Sequence, residues 1–258
     1  MRILLPPSET KRSGGSASAL DLGVLAEPRL TPQRSTLMSA VTELAADRDE
    51  CIRVLKLGPQ QHAEVDRNRS LASSPTMLAL DRYTGVLYDA IDSDDLTVEQ
   101  RVFAAEHVFI HSALWGIISA ENPIPAYRLS YNSRVPALGT SLTRFWQAQV
   151  SAVLDDWSGL TLDLRSQGYR GLGPLTPRSG VVEVDVMTRG EDGALRALNH
   201  FNKKAKGMLV GALIRSGHNY QRLGDLVDDL VDQGHEACAV SRSRLHLIVA
   251  EPQKVSSK

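Results

Sequence analysis

The sequence predicts a mixed α/β (α+β) fold in a single compact domain, and three observations carry that reading. Apolar runs of strand length, beginning with Arg2 to Leu5, are interspersed along the chain with apolar residues at helical spacing. A length of 258 residues with 42% hydrophobic content is enough to build one large core. No internal repeat, heptad or compositional break divides the chain. Residues 1–252 therefore read as one domain, and the polar stretch from Gln253 to Lys258 reads as a disordered tail.

Taken in order, Arg2 to Leu5 is a short buried strand stopped by Pro6-Pro7, and Ser8 to Ser16 is a polar loop of flexible composition. Thr31-Pro32 is a cap-then-proline helix start, continued by Leu37, Val41 and Leu44. Helical patterns recur over Asp49 to Leu57, Gln60 to Arg69, Met77 to Ile91 and Thr97 to Glu106, before a strand at His107 to His111. A proline-bearing loop from Asn122 to Pro136 leads into a helix over Ser141 to Trp157, whose Leu142, Phe145, Trp146, Val150, Val153 and Leu154 share helical spacing. Strands are expected at Leu160 to Leu164, Val181 to Met187, around Leu195 to His200, and at Leu245 to Ala250. Helices are expected over Asn202 to Ile214 and Tyr220 to Val231.

Composition excludes several classes of function. No run of eighteen apolar residues exists, so no membrane span is expected, and the N-terminal apolar stretch is too short for a signal peptide. Cys51 and Cys238 are far apart and lack C-x-x-C spacing, so neither a disulfide framework nor a cysteine zinc site is expected. These features describe a cytoplasmic protein. His107 and His111 share a strand face with no third ligand near in sequence, and they read as packing residues, with no metal and no cofactor expected.

A formal net charge of -1 hides a strong segregation of charge. From Asn199 to Gly224 there is no Asp or Glu, yet the stretch carries Lys203, Lys204, Lys206, Arg215 and Arg222. Arg128, Arg134 and Arg144 lie in a second acid-free segment, and Arg165, Arg170 and Arg178 in a third. A solvated helix face normally mixes signs, because like charges three or four residues apart repel. Convergence of the three segments would make a positively charged cleft fit for phosphates in a nearly neutral protein. The bland alternative is that carboxylates arrive from elsewhere in the fold.

Four constellations offer chemistry. The loop Pro6-Pro7-Ser8-Glu9-Thr10-Lys11 brings a hydroxyl, a carboxylate and an ammonium to the carboxyl end of a buried strand, without the glycine spacing of a Walker loop. Asp81-Arg82-Tyr83-Thr84-Gly85 and Ser112-Ala113-Leu114-Trp115-Gly116, with Tyr127-Arg128-Leu129 nearby, set aromatic rings beside glycines and arginines. Tyr83 and Trp115 are candidates for stacking nucleobases, or else core anchors. Arg165-Ser166-Gln167-Gly168-Tyr169-Arg170 follows a predicted strand and suits an anion site on a glycine-rich loop.

These motifs, in this order, resemble the peroxide stress protein YaaA family. The resemblance runs through the Pro-Pro-Ser-Glu-Thr-Lys loop, Tyr83-Thr84-Gly85, Ser112-x-Leu114-Trp115-Gly116, Pro125-x-Tyr127-Arg128-Leu129, Phe145-Trp146, Leu164-x-Ser166-x-x-Tyr169 and Phe201-x-Lys203-Lys204-Ala205-Lys206-Gly207. Trp115 stands where tyrosine is common and Lys206 where arginine is common. Some members carry Ser-Pro-Ala-Lys-Thr in the first loop, with lysine where this chain has Glu9; Lys11 can supply that charge two positions on. The resemblance implies a mixed sheet surrounded by helices with a positively charged cleft, cytosolic protection against peroxide and iron damage, and DNA binding, duplex or branched. It also implies a helix-hairpin-helix element, for which Gly171-Leu172-Gly173-Pro174 has the composition although a strand is expected soon after, at Val181.

Two functional readings follow. In the first, Lys11, Arg128, Arg165, Ser166, Tyr169, Arg170, Lys203, Lys204 and Lys206 bind nucleic-acid phosphates, with Tyr83, Tyr169 or Trp115 as stacking platforms. In the second, the same cleft is an enzyme site for a phosphorylated or nucleotide-like small molecule, with Ser8, Lys11, Tyr169 and Lys203 lining it and a lysine as acid, base or electrostatic stabiliser.

Overall fold

The computed structural model describes residues 1–190, 192–198 and 202–250. The strands are β1 (Arg2–Leu5), β2 (Ala17–Ala19), β3 (Pro75–Leu78), β4 (Val108–Ser112), β5 (Gly116–Ser119), β6 (Pro123–Ile124), β7 (Thr161–Asp163), β8 (Val181–Arg189), β9 (Leu195–Ala197), β10 (Glu236–Ser241) and β11 (Arg244–Val249). The helices are α1 (Thr31–Leu44), α2 (Arg48–Leu55), α3 (Glu64–Arg69), α4 (Ala79–Arg82), α5 (Val86–Ile91), α6 (Val98–His107), α7 (Leu142–Asp155), α8 (Gln167–Gly171), α9 (Asn202–Ser216) and α10 (Leu223–Asp232).

An eight-stranded mixed sheet in the order β10-β11-β8-β7-β1-β4-β5, with β9 on β8, forms the centre, and β2-β3-β6 make a small antiparallel sheet beside it. β1 pairs in parallel with β4 on one side and with β7 on the other. β8 and β11 continue the parallel run, while β5 and β10 close the two edges antiparallel. Ile3, Leu4 and Leu5 are wholly buried, as the middle strand of a parallel sheet covered on both faces requires. The chain leaves β1 for β4 and later returns to β7 on the opposite flank. The two connections part at the carboxyl ends of β1 and β7, and such a switch point opens a crevice where α/β proteins bind ligands.

Helix packing brings further groups to that crevice. α7 starts where Ser141 Oγ accepts the Arg144 N–H at 3.2 Å and buries Leu142, Trp146, Val150 and Leu154, the spacing read in the sequence. α9 lies directly against α5: a Cβ at Gly207 would sit 2.1 Å from the Leu87 carbonyl oxygen, so only glycine permits the approach. This contact holds the first turns of α9, with Lys206, against the end of β7.

Several elements differ from expectation. Met77 to Ile91 is not one helix: β3 and α4 occupy its first part, and α5 begins after Tyr83-Thr84-Gly85. Gly85 adopts φ +99°, a backbone state that side chains disfavour, and this breaks the helical run. The break is used. Lys11 and Tyr83 form an antiparallel bridge, Arg12 N–H donates to Arg82 O at 2.8 Å, and Thr84 N–H donates to Thr10 O at 3.2 Å. The loop read as flexible is thereby pinned at residues 10–12. The glycine-rich stretch after β7 is the five-residue helix α8 rather than an open loop. Gly171 to Pro174 leads on to strand β8 and forms no helix-hairpin-helix. Of the strand expected around Leu195 to His200, Leu195–Ala197 is β9; Asn199 and His200, the motif residue Phe201 and the tail from Gln253 lie outside the described residues.

Candidate functional site

Four polypeptide segments meet beyond the carboxyl end of β1. The loop after β1 brings Ser8 to Lys11, the break before α5 brings Tyr83 to Gly85, the turn after β4 brings Ser112, and the segment after β6 brings Tyr127 to Ser130. Buried Asn68 grips the last of these, accepting the Arg128 N–H at 2.8 Å and donating to Arg128 O at 2.8 Å.

Lys11 is the centre of this assembly. Only 6% of its surface is exposed, and its Nζ lies 4.1 Å from the Tyr127 ring centroid and 5.4 Å from that of Tyr83. Its hydrogen bonds go to two backbone carbonyls of its own loop, Ser8 O at 3.0 Å and Glu9 O at 3.4 Å. No carboxylate of the described residues lies within ion-pair distance of it. Glu9 is turned instead to Arg128, at 2.5 Å, and to the Ser130 hydroxyl, at 2.7 Å. Desolvation penalises the ammonium form, and the Lys11 pKa falls from 10.5 to about 7, against an opposing pull from Glu9.

A chain of hydroxyls runs beside it. Ser112 Oγ accepts the N–H groups of Leu114 at 3.1 Å and Trp115 at 3.0 Å, lies 2.7 Å from Tyr127 Oη, and Tyr127 Oη is 2.8 Å from Tyr83 Oη. With both lone pairs of Ser112 occupied, its proton points to Tyr127, and either phenol can serve as donor in the Tyr127–Tyr83 contact. Burial raises the pKa of both phenols, so they remain neutral donors.

The loop after β7 is built otherwise. Arg165 is fully buried and forks onto Asp163, at 3.0 and 2.9 Å, while donating to Gly173 O at 2.8 Å and to His111 Nδ1 at 2.9 Å. Burial and the adjacent guanidinium hold His111 well below the usual histidine range, hence neutral. Arg170 reaches Asp163 at 3.5 Å and Glu183 at 2.9 Å. Lys206 donates to Leu164 O at 3.1 Å, and burial, reinforced by Arg170, lowers its pKa from 10.5 to about 8. Buried Tyr169 Oη and His111 Nε2 have no hydrogen-bond partner among the described residues, so polar capacity is left unused here.

The residues singled out in the sequence thus divide. Ser8, with its hydroxyl 3.2 Å from that of Thr10, lies with Thr84 at the Lys11 loop. Arg128, Arg165 and Arg170 are engaged by Glu9, Asp163 and Glu183, and are not free phosphate clamps. Ser166 is exposed at the start of α8; Lys203 and Lys204 are exposed on the first turn of α9, with no ion pair among the described residues. Trp115 is wholly buried and Tyr83 is 2% exposed, so neither offers an open face for a base; both are core anchors, the alternative the sequence left open. Sequence reasoning passed over Ser112 as a proton donor and Asp163 as the counterion. The signal for Asp163 was its place two residues before Arg165 at a strand end.

The family model for "Peroxide stress protein YaaA" matches residues 1–231. The chain belongs to the peroxide stress protein YaaA family. A UPF0246 protein of Corynebacterium glutamicum is 41% identical over 219 residues, covering 84% of this chain and 86% of the relative. A UPF0246 protein of Streptomyces coelicolor is 35% identical over 244 residues, covering 92% and 91%. A Streptococcus pneumoniae member is 26% identical over 219 residues, covering 84% and 86%. The family match takes in every element of the crevice, from the Lys11 loop to Lys206.

Proposed function

We propose that this YaaA-family protein serves the cytoplasmic peroxide stress response by acting on a small anionic molecule, phosphorylated or nucleotide-like, in the crevice at the β1–β7 switch point. One observation carries the reading: a buried lysine with no counterion among the described residues, beside hydroxyl groups, at the carboxyl end of a parallel strand. Such an amine serves as a general base near neutral pH, and in its protonated form it attracts an anion into low-dielectric surroundings. Lys206 adds a second buried cation, and the Ser8, Thr10 and Thr84 hydroxyls give a polar mouth. Thermal unfolding in the presence of inorganic phosphate, AMP and ATP tests this. At least one should raise the melting temperature of the protein and lose that effect in Lys11→Met; no shift with any of them in folded protein would refute the reading.

A second reading is supported by Lys203 and Lys204. Exposed on an acid-free first turn of α9, they suit contact with DNA phosphates, which would couple peroxide protection to the chromosome. The stacking aromatics and most of the arginines drop out of this reading, which then rests on a narrow surface rather than a long groove. Mobility shifts over a salt series with Lys203→Ala/Lys204→Ala protein decide it.

A further inference from the structure

We propose that Arg128, Ser130 and Tyr169 form a subsite for the phosphate group of a phosphate monoester, and that the Glu9 carboxylate fills it in the free protein and swings out when the ligand enters. This deepens the small-molecule reading and rests on it for the remainder of the ligand.

The subsite is legible because an oxyanion already sits in it. Glu9 places one carboxylate oxygen 2.5 Å from Arg128 Nη1 and the other 2.7 Å from Ser130 Oγ. A third group faces the same place. Tyr169 is 5% exposed, and its Oη has no hydrogen-bond partner among the described residues. Its ring centroid lies 5.4 Å from that of Tyr131, and Gly168 leaves no room for a Cβ against the Tyr131 ring, so α8 is pressed onto the segment that carries Ser130. After burial, the Glu9 charge does most to raise the Tyr169 pKa, as expected of a phenol that looks towards this carboxylate. Tyr169 is therefore a protonated donor with nothing to donate to. A carboxylate has two oxygens, and Arg128 and Ser130 take both. A phosphate monoester has three terminal oxygens and gives the idle Tyr169 proton an acceptor. Donors counted against oxygens thus select a phosphate over a carboxylate.

Only the Glu9 side chain has to move. Its backbone carbonyl accepts from Lys11 Nζ and from Arg128 Nη1, each at 3.4 Å, and these contacts survive a side-chain rotation. The side chain itself is 46% exposed, with solvent to receive it. Among charged groups Glu9 acts most strongly on Lys11, so a phosphate in its place keeps negative charge before that lysine. Glu9 is then a built-in competitor, and it lowers ligand affinity by the fraction of time that it leaves the subsite open.

Calorimetric titration of the full chain with inorganic phosphate and with acetate, near neutral pH, tests the proposal. Glu9→Gln keeps the size of the side chain and removes its charge, and Glu9→Ala removes the plug. Both should bind phosphate at least about tenfold tighter than the native protein, the factor expected if the carboxylate holds the subsite roughly nine-tenths of the time. In the Glu9→Ala protein, adding Tyr169→Phe should weaken phosphate about tenfold and leave acetate unchanged, whereas adding Ser130→Ala should weaken both. Equal phosphate affinity, or none, in the native protein and both Glu9 variants would overturn the proposal, as would a Tyr169→Phe effect shared by acetate. If in that case AMP or ATP still stabilises the native protein and loses its effect in Lys11→Met, the small-molecule reading stands and Glu9–Arg128 is a structural ion pair only. If phosphate binds the Glu9 variants as expected while AMP and ATP stabilise no form of the protein, the phosphate subsite stands and nucleotides are removed as its ligands.

Discussion

The loops that leave β1 and β7 flank the same switch point, yet they treat buried positive charge in opposite ways. After β7, Arg165 and Arg170 share Asp163, and Glu183 takes the remaining guanidinium edge. After β1, Lys11 is just as deeply placed, but its neighbouring carboxylate, Glu9, is bonded to Arg128 and Ser130 instead. A buried charge that is paired and fully hydrogen-bonded fixes a fold; one left with carbonyls and aromatic rings can change its protonation state. The β7 loop is therefore architecture, and the β1 loop is the one to which the proposed chemistry is assigned. Cationic residues alike in sequence are separated by where their carboxylates fall.

The sharpest way to break this contrast is to disarm the architectural side. Asp163→Asn leaves Arg165 buried against a neutral amide, and chemical denaturation should show a loss of about 3–5 kcal/mol, the cost of stranding one member of a buried pair. A loss within experimental error would mean that the β7 loop tolerates stray charge as the β1 loop does.

The second test acts on Lys11 through pH. Its folded pKa, about 7, lies below the unfolded value of 10.5, so between those limits the unfolded chain binds the extra proton. Stability contributed by this group is thus lowest below pH 7, where both states are protonated, and rises towards pH 10. The slope should reach about 1.4 kcal/mol per pH unit. Lys11→Met should abolish that slope and, below pH 7, be as stable as the native protein or more so. Lys206, with a folded pKa of about 8, adds a similar rise over a narrower window, which Lys206→Met isolates.

How far the sequence foretold this contrast depends on the kind of signal. Periodicity located α7 and α9, and the continuous apolar run located β1, because each reflects burial of local side chains. The break at Tyr83 to Gly85 was hidden, since its cause is pairing with residues 10–12, about seventy positions away in the chain. At the site, acid-free segments drew attention to Arg165, Arg170 and Lys206, but a segment free of acids is not a surface free of them. Asp163 and Glu183 sit just beyond the ends of one such segment and fold back onto it. Lys11 was legible as a charge and not as a buried base, because burial comes from Tyr83 and Tyr127.

The two cysteines allow a smaller test. Cys51 is wholly buried, and burial pushes its thiol pKa up, so it stays a thiol of low reactivity. Cys51→Ala with Cys238→Ala should cost roughly 1 kcal/mol and leave peroxide survival of a complemented deletion strain unchanged. A fall to the deletion level, with the variant folded, would move the chemistry from Lys11 to sulfur.

The smallest effect on stability is expected at Lys203 and Lys204, where a double alanine variant should change unfolding by less than about 0.5 kcal/mol. If these lysines bind DNA, the same variant should flatten the slope of log affinity against log salt by nearly 2, at about 0.9 per phosphate contact. An unchanged slope would confine the cationic function to the buried amines.

The contrast between the two loops is tested most directly by titrating the lysine side chains themselves, following the 13Cε resonances of lysine-labelled protein by NMR from pH 5 to 11. One resonance, absent from Lys11→Met, should titrate near pH 7, apart from the remaining lysine resonances. A Lys11 resonance that titrates with the exposed lysines would show that its charge is satisfied after all, and that the β1 loop is no different from the β7 loop.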